Sequence, residues 1–163
     1  MYEKEISTVK TASRGGLWTA VGLVLASALF VWLAPWRFQQ SEAVAKGMLV
    51  AGSLLAVAAV SMALLVIRRR IPALRQADSL EAKLRGYADH VRSLYRSMLA
   101  VVAVLCAMTV LSGQSVLLML SMVATVMLFL AYPNIYKIKA DLGLSGSEMR
   151  LLFGDQYVGD DAE

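Results

Sequence analysis

His90 and Cys106 have the side chains in this chain that most often bind metals or act as catalysts, and each type occurs once in the 163 residues. A zinc site needs several His, Cys or carboxylate ligands close together, and a catalytic cysteine needs a base beside it. The sequence around these two residues meets neither requirement. We therefore interpret His90 as a solvated side chain and Cys106, in the apolar stretch VVAVLCAMTV, as a small buried residue.

Isolated hydroxyl groups lie within the apolar segments, and we expect each to bond to its own helix or to a neighbouring one. They are Ser27, Ser53, Ser61, Thr109, Ser121 and Thr125. The segment GLSGSE contains glycines but lacks the Lys-Ser/Thr pair of a phosphate-binding loop. The sequence therefore predicts no catalytic residue, no cofactor-binding site and no metal site. An enzyme that uses Asp89 or His90 on lipid headgroups is kept only as a third hypothesis.

The composition indicates the environment in which these side chains lie. Hydrophobic residues make up 58% of the chain and charged residues 17%, whereas soluble domains contain about 25% charged residues. This balance excludes an ordinary water-soluble domain and predicts a membrane protein. The formal net charge of +4 does not indicate a nucleic-acid partner, because the basic residues flank apolar stretches, as is typical of membrane topology.

Apolar stretches long enough to cross a bilayer as helices contain no Asp, Glu, Lys, Arg or His. They are Gly15–Trp36, Gly47–Ile67, Ser97–Leu111 and Ser115–Tyr132. Only SGQ separates the last two, and as one helix they would be about 54 Å long, so two antiparallel spans joined by a tight turn fit better. The predicted fold class is an all-α membrane protein, a four-transmembrane-helix bundle with a cytoplasmic helical extension between spans 2 and 3.

The distribution of Lys and Arg predicts the orientation of these spans. With both termini in the cytoplasm, fourteen of the sixteen basic residues lie on the cytoplasmic side, and only Arg37 and Lys46 lie opposite. We therefore predict a multi-pass protein of the bacterial inner (plasma) membrane. Its predicted parts are a cytoplasmic segment 1–14, a membrane domain 15–133 and a cytoplasmic tail 134–163.

The connection between the second and third spans has a helical pattern of its own. Its apolar residues recur at alternate steps of four and three, the spacing of an apolar seam on one helix face. This seam consists of Leu80, Leu84, Tyr87, Val91 and Leu94. Pro72 suits the first turn of a helix rather than its middle. We therefore predict that the second span ends near Ile71 and that a cytoplasmic amphipathic helix, 72–96, continues into the third span.

The apolar seam needs a surface to cover it, and the sequence leaves the alternatives open. The helix could lie on the membrane surface, where its basic residues would contact anionic lipid. The residues predicted to make that contact are Arg68, Arg69, Arg70, Arg75 and Arg96. Alternatively, the seam could pack against the tail of its own chain, a second copy or a different membrane protein.

The tail after Pro133 is acidic, with six Asp and Glu against three Lys and Arg. Its segment SGSE, Ser145 to Glu148, has the spacing of a capping box, in which Ser and Glu each satisfy a free backbone N–H at the start of a helix. We predict a short capped helix at 146–153. Its apolar face, Met149, Leu152 and Phe153, is expected to dock on the basic helix nearby.

The sequence predicts almost no polar segment on the outer side of the membrane, and the predicted function follows from this. The first hypothesis is an accessory or scaffold subunit, not an enzyme, that presents the amphipathic helix 72–96 to a partner or to a second copy. The alternative is a small homo-oligomeric channel or transporter for a neutral or apolar solute, with its path between copies. Small residues favour close helix packing in either case. The expected partners are membrane lipids, anionic at the cytoplasmic face, and another copy or a membrane protein.

Overall fold

The computed structural model describes residues 2–34, 41–77 and 79–153, and all regular structure in these residues is helical. The helices are α1 (Tyr2–Leu33), α2 (Glu42–Arg75), α3 (Leu80–Ser112), α4 (Ser115–Leu130), α5 (Ile135–Leu142) and α6 (Gly146–Phe153). Three of them are long and apolar enough to cross a membrane: α1 from Lys10, α2 and α3. The pair α4 and α5 qualifies as a fourth only when taken together, and its two helices are bent by 79°. The prediction of an all-helical chain with several membrane-length apolar helices is confirmed.

Helix α3 is the centre of the fold, because α1, α2 and α4 all pack against it. Val102 and Leu105 of α3 are completely buried, as are Leu117 and Leu128 of α4. Gly113 ends α3 with a φ of 69°, in the left-handed region that glycine adopts without strain. This turn reverses the chain into α4, so the short SGQ segment separates two helices as predicted.

Helix α2 lies at the edge of the bundle and buries only Gly52, Ala56 and Ile71. A Cβ on Gly52 would overlap Cδ2 of Leu117 in α4, so glycine at this position lets α2 approach α4 closely. The outer face of α2 exposes large apolar residues, among them Leu54, Val57 and Met62. An apolar face of this kind is suited to lipid rather than water.

The predicted single helix 72–96 is wrong. Helix α2 passes through the exposed Pro72 and ends at Arg75, and α3 begins separately at Leu80. Proline is tolerated here because it lies in the last turns of α2, where an unbonded carbonyl can be exposed to solvent. The hydroxyl of Ser79 accepts a hydrogen bond from the Ala82 N–H at 3.2 Å and caps α3. Ser79, followed by an acidic first turn, was the sequence signal for this start.

Candidate functional site

The first half of α3, the last turns of α2, and the helices α5 and α6 form one polar end of the bundle, which we call the cap (68–77, 79–96 and 134–153). The side chain of Arg75 joins two of its elements. Its Nε donates to the carbonyl of Asp141 at 2.9 Å, and its Nη2 donates to that of Ala140 at 2.6 Å. These carbonyls end α5, so a guanidinium lies where the helix dipole favours positive charge. Arg75 thus fastens the end of α2 to the tail.

The turn from α4 to α5 is held by residues on both sides of the buried Pro133. The side-chain oxygen of Asn134 accepts a hydrogen bond from the Lys137 N–H at 2.6 Å and caps α5. The Nζ of Lys137 donates to the carbonyl of Leu130 at 2.5 Å, at the end of α4. The bend between α4 and α5 is therefore defined by two contacts of the short loop. Asn134 caps the start of α5, and the Lys137 ammonium group binds the end of α4.

Helix α6 begins at the capping box. The backbone N–H of Ser145 donates to Oε2 of Glu148 at 2.8 Å, and the N–H of Glu148 donates to Oγ of Ser145 at 3.3 Å. The backbone N–H and the hydroxyl of Ser145 both donate to the carboxylate and lower the pKa of Glu148. Lys83 of α3, 4.0 Å from Glu148, also lowers this pKa by a smaller amount. The capping box therefore holds Glu148 in its charged form.

We expect acid to loosen α6. The pKa of Glu148 is below its ordinary value of 4.5 in the folded chain, so its contribution to stability is complete above that value and is lost as pH falls through the lower, folded pKa. Loss of a helix cap costs about 1 kcal/mol. Hydrogen-exchange protection factors of α6 amides should therefore fall as pH is lowered below 4.5, by up to about fivefold. Glu148→Gln, which keeps the box without a titrating group, should flatten this profile; an equally steep profile would assign the effect to another residue.

The predicted seam is covered by its own chain. Leu84, Tyr87 and Val91 are buried, and they share one core cluster with Leu142 and Met149 of the tail. Leu80 and Leu94 are partly buried against the same cluster. The seam is therefore buried within its own subunit, where α1 packs along α3 and the tail contributes Asp141, Leu142 and Met149.

Two polar side chains lie beneath this cover. The hydroxyl of Tyr87 donates to Oδ2 of Asp141 at 3.3 Å. His90 is only 3% exposed, and its Nδ1 has no hydrogen-bond partner among the described residues. Its interpretation as a solvated side chain is therefore wrong. His90 lies one turn after Tyr87, so the buried face is wider than the five predicted seam residues.

Cys106 is buried as predicted, and the hydroxyls of Ser27, Thr109, Ser121 and Thr125 bond within their own helices as predicted. Cys106 has no disulfide partner. The hydroxyls of Ser27, Thr109 and Thr125 donate to carbonyls four residues earlier in their own helices, at 2.8–2.9 Å. In residues 2–34, 41–77 and 79–153, no group of three or more His, Cys, Asp or Glu side chains is placed to hold a metal ion.

The basic residues predicted to contact anionic lipid are all exposed: Arg68, Arg69, Arg70, Arg75 and Arg96. Arg75 differs from the others because its guanidinium bonds the end of α5. On α3, Arg85 and Asp89 are also exposed, and Arg92 lies 4.0 Å from Asp89. We call the exposed residues Arg68, Arg69, Arg70, Arg85 and Arg96 the basic face of the cap. These arginines are exposed, whereas the seam residues Leu84, Tyr87 and Val91 are buried.

Two clefts between helices have no signal in the sequence. One, of about 540 Å³, has Arg14, Trp18, Phe129 and Lys137 among its lining residues. The other, of about 250 Å³, is an apolar groove between α2, α3 and α4 that includes Ala56, Met98 and Leu120. Each cleft is lined by helices far apart in the sequence, and no local motif could have indicated it.

No protein-family model matches the chain, and comparisons with curated proteins and with solved structures give no significant match.

Proposed function

We propose that this chain is a four-span protein of the bacterial inner membrane, with both termini cytoplasmic, that acts as a non-catalytic accessory or scaffold subunit. The observation that carries the proposal is the division of the cap into two surfaces. The apolar seam is buried within its own chain, against α1 and the tail, while the arginines of the basic face remain exposed. The cap is thus folded before any partner arrives, and it presents charge rather than an apolar seam.

The four-span topology is supported by contacts at the two ends of the bundle. At one end, Nε2 of Gln114, in the α3–α4 turn, donates to the carbonyl of Ala45 near the start of α2 at 2.9 Å. At the other, Arg75 joins the end of α2 to α5. Helix α4 has 16 residues and is about 24 Å long, short for a hydrocarbon core of about 30 Å, which is a mismatch that the bilayer can accommodate by local thinning.

The basic face restricts the chemistry of the partner. Fourteen of the sixteen Lys and Arg residues lie on the proposed cytoplasmic side, and the arginines of the basic face add to the positive potential at that surface. An acidic cytoplasmic segment of a neighbouring membrane protein is the complementary partner. The contact is expected to be sensitive to salt, because exposed charges are screened at physiological ionic strength.

The test is the mass of the intact particle extracted in native nanodiscs from its host, with every co-purifying chain identified. We expect a stoichiometric foreign membrane protein, and the double variant Arg85→Glu with Arg96→Glu should weaken its association at least about tenfold at low salt. Lys46→Glu is the matched control, because this exposed residue lies at the opposite end of the bundle, and it should retain the partner. Equal retention by both variants would remove the basic face from the proposal.

A homo-oligomeric channel or transporter for a neutral or apolar solute is the second candidate. It is favoured by the apolar groove between α2, α3 and α4, which lies beside the exposed outer face of α2. A second copy packed on α2 would enclose this groove. A clean homo-oligomer without foreign chains, together with solute flux in liposomes containing only this protein, would support this candidate, and impermeable liposomes would oppose it.

A further inference from the structure

The cleft between α1 and the α4–α5 junction combines cations with apolar and aromatic side chains. Its lining includes Arg14, Trp18, Val21, Phe129, Tyr132 and Lys137. Its volume of about 540 Å³ is in the usual range of small-molecule sites. We propose that it binds one anionic phospholipid of the cytoplasmic leaflet, with the lipid phosphate between Arg14 and Lys137 and an acyl chain along Trp18 and Phe129.

The cleft changes from polar to apolar along its length. Tyr95 links its two walls: the ring lies next to Gly16 of α1, and the hydroxyl donates to the carbonyl of Leu128 of α4 at 2.8 Å. This contact places the start of the apolar part of α1 level with the end of α4. From that level, Arg14 lies towards the N-terminus of α1, and Lys137 lies beyond the end of α4. The two cations therefore share one end of the cleft.

Lys137 can bind an anion while its ammonium group also bonds the carbonyl at the end of α4. Its Nζ uses one donor on the Leu130 carbonyl at 2.5 Å, and an ammonium group has further donors to offer. Arg14 is exposed, with a guanidinium that suits the oxygens of a phosphate. None of the ion pairs among the described residues involves either cation. Asp141, one turn further along α5, does not line the cleft and accepts from Tyr87.

The apolar part of the cleft favours a lipid over a soluble phosphate. Trp18 is 65% exposed and Leu130 67% exposed, and an inorganic anion at the mouth would leave both uncovered. An acyl chain would cover them, and the proposed membrane placement would put the amphipathic rings of Trp18 and Tyr132 at the depth that such rings prefer. This inference rests on the membrane placement in the proposed function, but it uses residues outside the basic face.

Trp18 provides the measurement. The chain has three tryptophans, so Trp32→Phe and Trp36→Phe would leave Trp18 as the only one. In the full-length protein in bilayers, we would compare quenching by brominated phosphatidylglycerol and by brominated phosphatidylcholine at equal mole fractions. We expect phosphatidylglycerol to bind about fivefold more strongly at Trp18. Arg14→Gln with Lys137→Gln should abolish this preference, and the control Arg68→Gln should retain it.

The other outcomes separate the two proposals. Quenching by neither lipid would refute the membrane placement and with it the proposed function. Equal quenching by both lipids, or a preference that the double variant retains, would overturn the lipid site alone. Loss of the preference on addition of millimolar inorganic phosphate at constant ionic strength would also overturn it, because the ligand would then be a soluble anion.

Discussion

Replacing Leu84 by aspartate is expected to unfold the cap and not merely to weaken association with a partner. Leu84 is 3% exposed and lies in the cluster shared by the seam and the tail. The change removes a buried leucine, which costs about 2–5 kcal/mol, and adds the cost of burying a carboxylate. We expect a loss of about 4 kcal/mol or more, measured by unfolding in mixed micelles with increasing sodium dodecyl sulfate.

The control is Arg85→Asp, which introduces the same side chain at the next position, where it is exposed. Surface changes of this kind usually alter stability by less than about 0.5 kcal/mol. Hydrogen exchange should show α5 and α6 unprotected in Leu84→Asp and protected in the control. If Leu84→Asp instead kept α5 and α6 protected and lost only its association with a partner, the seam would be the partner surface and the assignment of the tail to it would be wrong.

Gly52→Leu is expected to separate α2 from the rest of the bundle. A Cβ at this position would overlap Cδ2 of Leu117 and lie 3.5 Å from Cδ2 of Leu105. Both leucines are completely buried, so neither can move into free space. Overpacking of a close interface costs about 3 kcal/mol, which the same unfolding titration would measure.

Gly47→Leu is the matched control, because a Cβ on Gly47 meets no atom within 4 Å. Its effect should be no more than a small change in helix propensity, which favours leucine over glycine. Equal stability of the two variants would show that α2 does not approach α4 closely. The pair also sharpens the channel hypothesis: if Gly52→Leu altered solute flux without loss of stability, Gly52 would line a path between copies and not an interface within one.

The contacts of the cap explain why its prediction from sequence was only partly correct. The capping box of α6 involves residues three positions apart, so its spacing alone predicted both hydrogen bonds and the bounds Gly146–Phe153. The break between α2 and α3 also has a local signal, the Ser79 cap, which the prediction of a single helix over 72–96 did not include. The bonds from Arg75 to α5 join residues 65 and 66 positions apart, and no periodicity indicates them.

His90 shows the same limit for a candidate chemical residue. The sequence around it indicated a solvated side chain, and only the packing of the other helices on α3 decided that it is buried. The pairing of Arg14 with Lys137 in one cleft likewise depends on how α1 lies against α4 and α5. His90, Arg14 and Lys137 can be identified as candidate site residues only from the packing of the helices, and not from the sequence around each of them.

The sequence by itself determined the presence and approximate extent of several apolar helices long enough to span a membrane, the turn at Gly113 and the capped tail helix. These features depend on the hydropathy of consecutive residues and on hydrogen bonds within one helical turn. The tertiary structure decided what covers the seam, which charges remain exposed and where clefts open. Those outcomes depend on which distant surfaces meet, because an apolar face gains nearly the same free energy from any apolar surface that covers it.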